Sequence, residues 1–396
     1  MTTSEMRLAA PARPSFAILV AISAIGPLSL NLLVPSMPGL QATFGVPYGT
    51  VQLTLTLYLI GMAVCQLIYG PASDRYGRRP LLLAGLSLFF VASLAAAVAP
   101  NIYFLIAARL VQAIGGSAGI VLARTMVRDV YDRDKAASVI SYITMAFVVA
   151  PMIAPVLGGF LEEAGGWRLG FWLLAIVGAT VLTASGITLP ETHHDRRSDP
   201  QNFLLNALHL FAIPKFRNYA LTLAFTSSVF FAFLGGAPHI MIDVLKHTPV
   251  EYGLWFVTIS AAYMAGNFSS GRYTQQFGID RMMLAGCIVT AAGGLLCLAA
   301  AFADVLSPAT VFLPMSLAAF GNGLTIPNGT AGAISVDQRM TGAAAGWSGF
   351  TQMAAGSAAS QLVGSLQSDW PHAVFWFMAV ASILALLVQS MSMSRS

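Results

Sequence analysis

Arg109 is the residue with the most chemistry to offer. It follows Asn101 by eight positions in a stretch that is otherwise apolar. At about 1.5 Å per helical residue it lies roughly 12 Å below the surface where Asn101 stands. A guanidinium at that depth needs a cavity or a partner, because hydrocarbon supplies neither. Gln112, three residues on, shares its helical face. The second concentration of charge is Gly70-Pro71-Ala72-Ser73-Asp74-Arg75-Tyr76-Gly77-Arg78-Arg79-Pro80. An acid beside three arginines, with Gly70 and Gly77 bracketing them, reads as a tight charged turn that fixes two helices. Asp74 is expected to lie against free backbone N–H groups at the start of another helix, near Thr341 and Gly342. Arg78 is expected to pair with Asp129. Those contacts would form a latch between two halves of the molecule and hold an outward-facing state.

Other chemistries lack their residues. Cys65, Cys287 and Cys297 fall within apolar segments and read as small buried side chains. His193 and His194 have no Cys or carboxylate at ligand spacing, so no metal and no cofactor is expected. A membrane-embedded enzyme would cluster His, Asp, Glu or Cys at one depth. The sixteen acids here are scattered among loops and segment ends.

The elements that must carry these residues are membrane helices. Apolar residues make up 57% of the 396 and charged residues 9%, with a mean hydropathy of +0.74. That surface exceeds what a soluble core can hide. Uninterrupted apolar runs, without period-two alternation, predict helices rather than a barrel. Twelve spans are predicted, at about 16 to 36, 49 to 69, 79 to 99, 102 to 124, 138 to 160, 169 to 189, 218 to 241, 252 to 271, 282 to 303, 310 to 331, 344 to 365 and 373 to 392. With a cytoplasmic N-terminus, every basic residue except Arg109, Arg168 and Lys246 falls at the inner face. The net charge of +4 therefore reports topology rather than a nucleic-acid surface. Both termini are expected in the cytoplasm, and no cleavable leader is expected before the first span.

The longest polar interval divides the chain into an N-terminal six-helix half (1–190), a cytoplasmic linker (191–217) and a C-terminal six-helix half (218–396). Gly271-Arg272-Tyr273-Thr274-Gln275-Gln276-Phe277-Gly278 falls between spans eight and nine and repeats the seven-residue glycine spacing of Gly70 and Gly77. An echo in the equivalent loop predicts an internal duplication.

The Gly70 to Arg79 segment resembles the loop signature of the major facilitator superfamily. Further matches are Asn31-Leu32-Leu33-Val34-Pro35-Ser36-Met37-Pro38, Arg109-Leu110-Val111-Gln112, Arg128-Asp129-Val130-Tyr131, Gly166-Trp167-Arg168 and Leu189-Pro190-Glu191-Thr192. Ala154-Pro155-Val156-Leu157-Gly158-Gly159 resembles the motif of exporters in this superfamily. Together they resemble the bicyclomycin-resistance (Bcr/CflA) group of drug:proton antiporters. The resemblance implies an all-α fold of two pseudo-symmetric six-helix bundles and export of small molecules by alternating access. It implies a bacterial inner-membrane location and an arginine, Arg109, that couples protonation to substrate. Physically, Pro155 bends its helix, and Gly158 and Gly159 allow close approach of neighbours.

The chain departs from the group in span one. Many of these antiporters carry an acid at the position of Asn31, and an amide cannot exchange a proton near neutral pH. Asp243, Asp129, Asp74 or His239 carries the proton, or the substrate does, or the protein is a facilitator. A substrate pocket is expected near the midplane between the halves. Its candidate lining is Asn31, Tyr58, Gln112, Met145, Phe230, Phe231, Tyr263, Asn322, Asn328 and Gln352. Such a pocket suits a lipophilic, neutral or weakly charged compound. The expected partners are that small molecule, protons and the lipid bilayer, for a monomeric transporter. A facilitator or exporter of a metabolite such as an amino acid or sugar is the alternative on the same fold.

Overall fold

The computed structural model describes residues 14–131, 133–192, 203–338, 340–370 and 372–393. Among them are fourteen α-helices: α1 (Phe16–Leu32), α2 (Met37–Phe44), α3 (Tyr48–Tyr76), α4 (Arg78–Ala97), α5 (Ile102–Val130), α6 (Arg133–Gly165), α7 (Trp167–Thr188), α8 (Phe203–Ala212), α9 (Pro214–Pro238), α10 (Pro249–Phe277), α11 (Ile279–Phe302), α12 (Pro308–Ser335), α13 (Thr341–Leu366) and α14 (Ala373–Met393). Setting aside α2 and α8, which are short, twelve long helices remain.

Three expectations need adjustment. The first span is not one rod: after α1 the chain passes through a 3-10 turn at Val34–Ser36 into α2. Pro35 and Pro38 lack the N–H that would continue the α-helical ladder. Several spans are longer than the hydrocarbon requires, because α5 runs on to Val130 and α6 covers Arg133–Gly165. The interval between the halves is not all loop, since it contains α8, an apolar helix packed on α9 and α13.

Nine stretches among the described residues are long and apolar enough to cross a membrane. Helices α6, α10 and α13 fall outside that set, and α10 and α13 show why. They carry Ser260, Asn267 and Ser270, and Ser348, Gln352, Ser357, Ser360 and Gln361. A helix that packs on protein along much of its length needs less apolar surface than one facing lipid.

Two bundles follow from the packing. In the first, α5 contacts α1, α3 and α4, α4 contacts α7, and α1 contacts α6. In the second, α12 contacts α10 and α11, and α9 contacts α13 and α14. Their correspondence is visible in detail. Gly77 and Gly278 start α4 and α11 at φ of +96° and +84°, a region that costs a side chain dearly. Eight residues later, Gly85 and Gly286 face Gly115 and Gly321. A Cβ on Gly115 would stand 2.5 Å from the Gly85 carbonyl oxygen, and one on Gly321 would stand 2.5 Å from that of Gly286.

The bundles meet through α3 with α13 and α6 with α10. We call the face where α1 begins and α14 ends the terminal face, and the opposite one the distal face. The distal ends are joined closely. Gln52 Nε2 donates to Ser360 Oγ at 2.5 Å, Gln361 Nε2 to the Gly49 carbonyl at 3.0 Å, and Tyr48 Oη to the Gly235 carbonyl at 3.1 Å. On the second seam the Val250 N–H donates to Glu163 Oε1 at 3.1 Å. Toward the terminal face, Leu67 still reaches Gly346, but Gly70 and Gly342 have open space where a Cβ would stand.

Candidate functional site

Arg109 lies on α5 with no exposed surface. Helices α1, α3, α4 and α7 surround it. Its Nη1 donates to Ser29 Oγ at 2.8 Å, the Ser29 carbonyl at 3.2 Å and Gln112 Oε1 at 2.6 Å. The guanidinium stands 4.1 Å from the Tyr58 ring centre and 5.8 Å from that of Phe171. Gln112 is held in turn: its Nε2 donates to Ser93 Oγ at 2.7 Å, whose hydroxyl donates to the Phe89 carbonyl at 2.7 Å. Tyr58 Oη donates to the Gly26 carbonyl at 3.0 Å, which fixes the ring that covers the arginine. No carboxylate among the described residues pairs with Arg109.

Ser29 and Ser93 were not legible as site residues, since serines recur throughout the apolar segments. The usable signal is position, because Ser29 stands on the helix that carries Asn31. Asn31 itself is buried but turned to its own helix, its Nδ2 donating to the Pro27 carbonyl at 2.9 Å. It is neither a crosslink between helices nor a partner of Arg109.

At the terminal face the charged turn forms a network inside the first bundle. Arg78, 4% exposed, pairs through Nη1 with Asp74 Oδ1 at 2.5 Å and through Nε with Asp129 Oδ2 at 3.1 Å, and it also donates to Ser73 Oγ. Thr192 Oγ1 donates to the same Asp129 oxygen at 3.0 Å. Glu191 accepts the backbone N–H groups of Arg78 at 3.0 Å and Arg79 at 3.2 Å, so a carboxylate sits on the N-terminus of α4. Glu191 stands in the Leu189-Pro190-Glu191-Thr192 match, which by itself implies no role for it. Its signal was a Pro-Glu-Thr run directly after a predicted span.

Asp74 is the correction here. It was expected at the start of α13; the structure turns it to Arg78, four residues along the same turn, and leaves Thr341 and Gly342 exposed. The nearer cation holds it, and the expected contact with the start of α13 is not made. Arg75 points outward over the Tyr76 ring at 5.4 Å.

The exporter-type motif sits on a seam. A Cβ on Gly158 would collide with the Leu32 carbonyl of α1, and one on Gly159 with the Pro249 carbonyl of α10. The Pro155 carbonyl oxygen lies 2.6 Å from where Gly253 would carry a Cβ. These residues let α6 touch both its own bundle and the other.

The remaining candidates do not converge on one pocket. Phe230 and Phe231 pack edge-on at 5.4 Å and join Tyr58 and Tyr263 in the apolar contact zone between bundles. Asn322 accepts from Thr290 at 3.2 Å and ties α12 to α11. Asn328 accepts from Thr274 at 2.9 Å and donates to Ser270 at 2.8 Å, tying α12 to α10. Gln352 accepts from Ser227 at 3.4 Å. The side chain of Met145 lies outside the described residues. Asp243 lies in a π-helical turn, His239–Val244, where its Oδ2 stands 2.8 Å from His239 Nδ1. The ring of His239 stands 5.3 Å from that of Tyr48 in the other bundle. No group of three or more His, Cys, Asp or Glu able to hold a metal occurs among the described residues.

The two bundles and their motifs find counterparts among known proteins. The chain is 32% identical over 319 residues to Multidrug resistance protein D of Escherichia coli, covering 80% of each chain. It is 25% identical over 386 residues to a bicyclomycin resistance protein homolog of Haemophilus influenzae, covering 95% of each. The resemblance to the bicyclomycin-resistance group, read from the motifs, is borne out by these relatives. The crystal structure of a D-xylose-proton symporter superposes with a TM-score of 0.78 at 15% identity, covering 94% of this chain and 96% of that one. The sequence model of the Major Facilitator Superfamily matches residues 19–360, and this multi-pass membrane protein belongs to that superfamily.

Proposed function

We propose that this protein exports small amphiphilic compounds, antibiotics among them, across the bacterial inner membrane by alternating access, with inward proton movement as the drive. The observation that carries the reading is the unequal contact between bundles. At the distal ends, close contacts and hydrogen bonds join Gly49, Gln52 and Gly159 to the second bundle, while Asp74 and Gly342 stand unlatched at the terminal face. Two rigid bundles joined at one end can rock and expose a site at their interface to either side. The basic residues favour a cytoplasmic terminal face, which supports reading this as the inward-facing arrangement. In the outward-facing one, Asp74 would leave Arg78 for the N-terminus of α13. Relatives named for resistance to several drugs, to bicyclomycin and to chloramphenicol support an antibiotic cargo.

Asn31 favours a second reading, a facilitator without proton coupling. Purified protein in liposomes separates the two when chloramphenicol flux is followed under imposed pH gradients. An antiporter accumulates drug against its gradient and stops when a protonophore is added. Flux that ignores the pH gradient leaves the facilitator. Arg109→Ala and Asp74→Asn should each lower export at normal expression, and unchanged export in both would remove them from the mechanism.

A further inference from the structure

Arg109 is a buried cation with two of its three nitrogens, Nε and Nη2, idle as donors. Nη1 carries all its hydrogen bonds to protein, while Nε and Nη2 are buried without a partner. What Nη1 meets is neutral: a serine hydroxyl, a carbonyl and an amide oxygen. An unpaired guanidinium away from water is expensive to keep, and its two free donors form the fork that matches a carboxylate. The obvious protein counter-charge is missing, because α1 carries Asn31 instead of an acid and Asn31 bonds to Pro27.

The place of this cation in the fold suits a transient ligand. Tyr58, whose face covers the guanidinium, packs in the same apolar cluster as Phe231 and Phe256 of the second bundle. Arg109 is therefore one aromatic ring away from the surface along which the bundles part. Rocking that withdraws the second bundle would remove the packing of Phe231 and Phe256 from the Tyr58 cluster, and release of the Gly26 carbonyl by Tyr58 would then open Nε and Nη2 to the interface. The aromatic walls suit an apolar body, and the guanidinium suits an anionic head.

We propose that Arg109 is the anion subsite of the transport pathway, recognising a singly charged anionic group, the carboxylate of an amphiphilic substrate or a free monoanion. The proposal rests on the transporter reading for its route of access. It names a ligand class that the coupling role does not require.

Binding to the purified protein in nanodiscs tests it without any gradient, so failure of drug flux and failure of this site are separate results. The probes are 1-naphthoate and its neutral isostere 1-naphthamide, measured by equilibrium dialysis in gluconate and in chloride buffer. The wild type should bind naphthoate about tenfold or more tighter than naphthamide, the scale of a charge-assisted hydrogen bond. In Arg109→Gln that preference should vanish while naphthamide affinity stays within about twofold. Chloride that competes with naphthoate identifies a site for any monoanion. Chloride without effect restricts it to the organic carboxylate. Equal binding of the two probes by the wild type, with chloride also without effect, overturns the proposal, as does a preference that survives in Arg109→Gln. If that variant fails to fold, Arg109→Lys reads the same site, keeping the charge and losing the two-pronged fork. It should shift naphthoate binding several-fold and spare naphthamide, and an equal shift in both overturns the assignment.

Discussion

Gly77 and Gly278 hold the same backbone conformation at the starts of α4 and α11, yet their surroundings differ. Beside Gly77, Arg78 is clamped between Asp74 and Asp129, and Glu191 reaches in from the end of α7. Beside Gly278, the preceding turn carries Gln275 and Gln276, and Asp280 accepts a hydrogen bond from Tyr219 at 2.7 Å. The same division recurs deeper. Between α4 and α5, Ser93 and Gln112 lead to Arg109, whereas between α11 and α12 Thr290 meets Asn322 and no charge follows. The glycine scaffold is shared, and among the described residues the arginine–carboxylate network at the turn is found in one copy. Packing thus tolerates little divergence between the bundles, while chemistry needed only one of them.

The comparison breaks most severely at the scaffold. Gly115→Leu and Gly321→Leu each push a side chain into a facing backbone, which cannot move aside as a flexible side chain could. Each should cost about 3 kcal/mol or more, at the upper end for overpacking. Thermal unfolding of the purified protein should show similar losses for both. One tolerated variant would mean that the two helix pairs are not equivalent.

Charge should separate the copies next. Arg78→Leu leaves Asp129 without its cation and should cost about 2 kcal/mol, below the buried-pair range because Asp74 and Asp129 retain some solvent. Tyr219→Phe removes one hydrogen bond from the matching region and should cost about 1 kcal/mol or less. Denaturation midpoints in one detergent check the order. Equal losses would show that the first network is no stronger than a neutral contact.

Much of this scaffold is legible in the amino-acid sequence. Apolar length gives the helices, and the glycine spacing gives the paired turns, because both are local properties of the chain. The partner of Arg78 at Asp129 was also legible, since two opposite charges at neighbouring helix ends have few alternatives. The partner of Asp74 was not, because it depends on which ends of the bundles are together. Asn322, Asn328 and Gln112 looked like pocket amides, but each is engaged by a neighbouring helix. An amide in an apolar run signals only that a hydrogen bond must exist, not whether protein or ligand makes it.

The smallest effect sharpens the comparison furthest. Both α4 and α11 have a carboxylate at the positive end of the helix, but α4 receives Glu191 from a segment 113 residues away, and α11 supplies Asp280 from its own first turn. Glu191→Gln and Asp280→Asn keep the shape and remove the charge. If the helix ends need only a nearby anion, each change should cost about 0.3 to 1 kcal/mol and shrink as salt is raised. The two routes differ in what else is lost. Glu191 also ties the end of α7 to the start of α4, so its removal should raise proteolytic cleavage after Thr188 as well as lower the melting temperature, whereas Asp280→Asn should leave cleavage beyond Phe302 unchanged. Equal cleavage in both variants would reduce Glu191 to a cap. Cleavage confined to Glu191→Gln would make it the tether that lets one bundle carry a charge network where the other carries only hydrogen bonds.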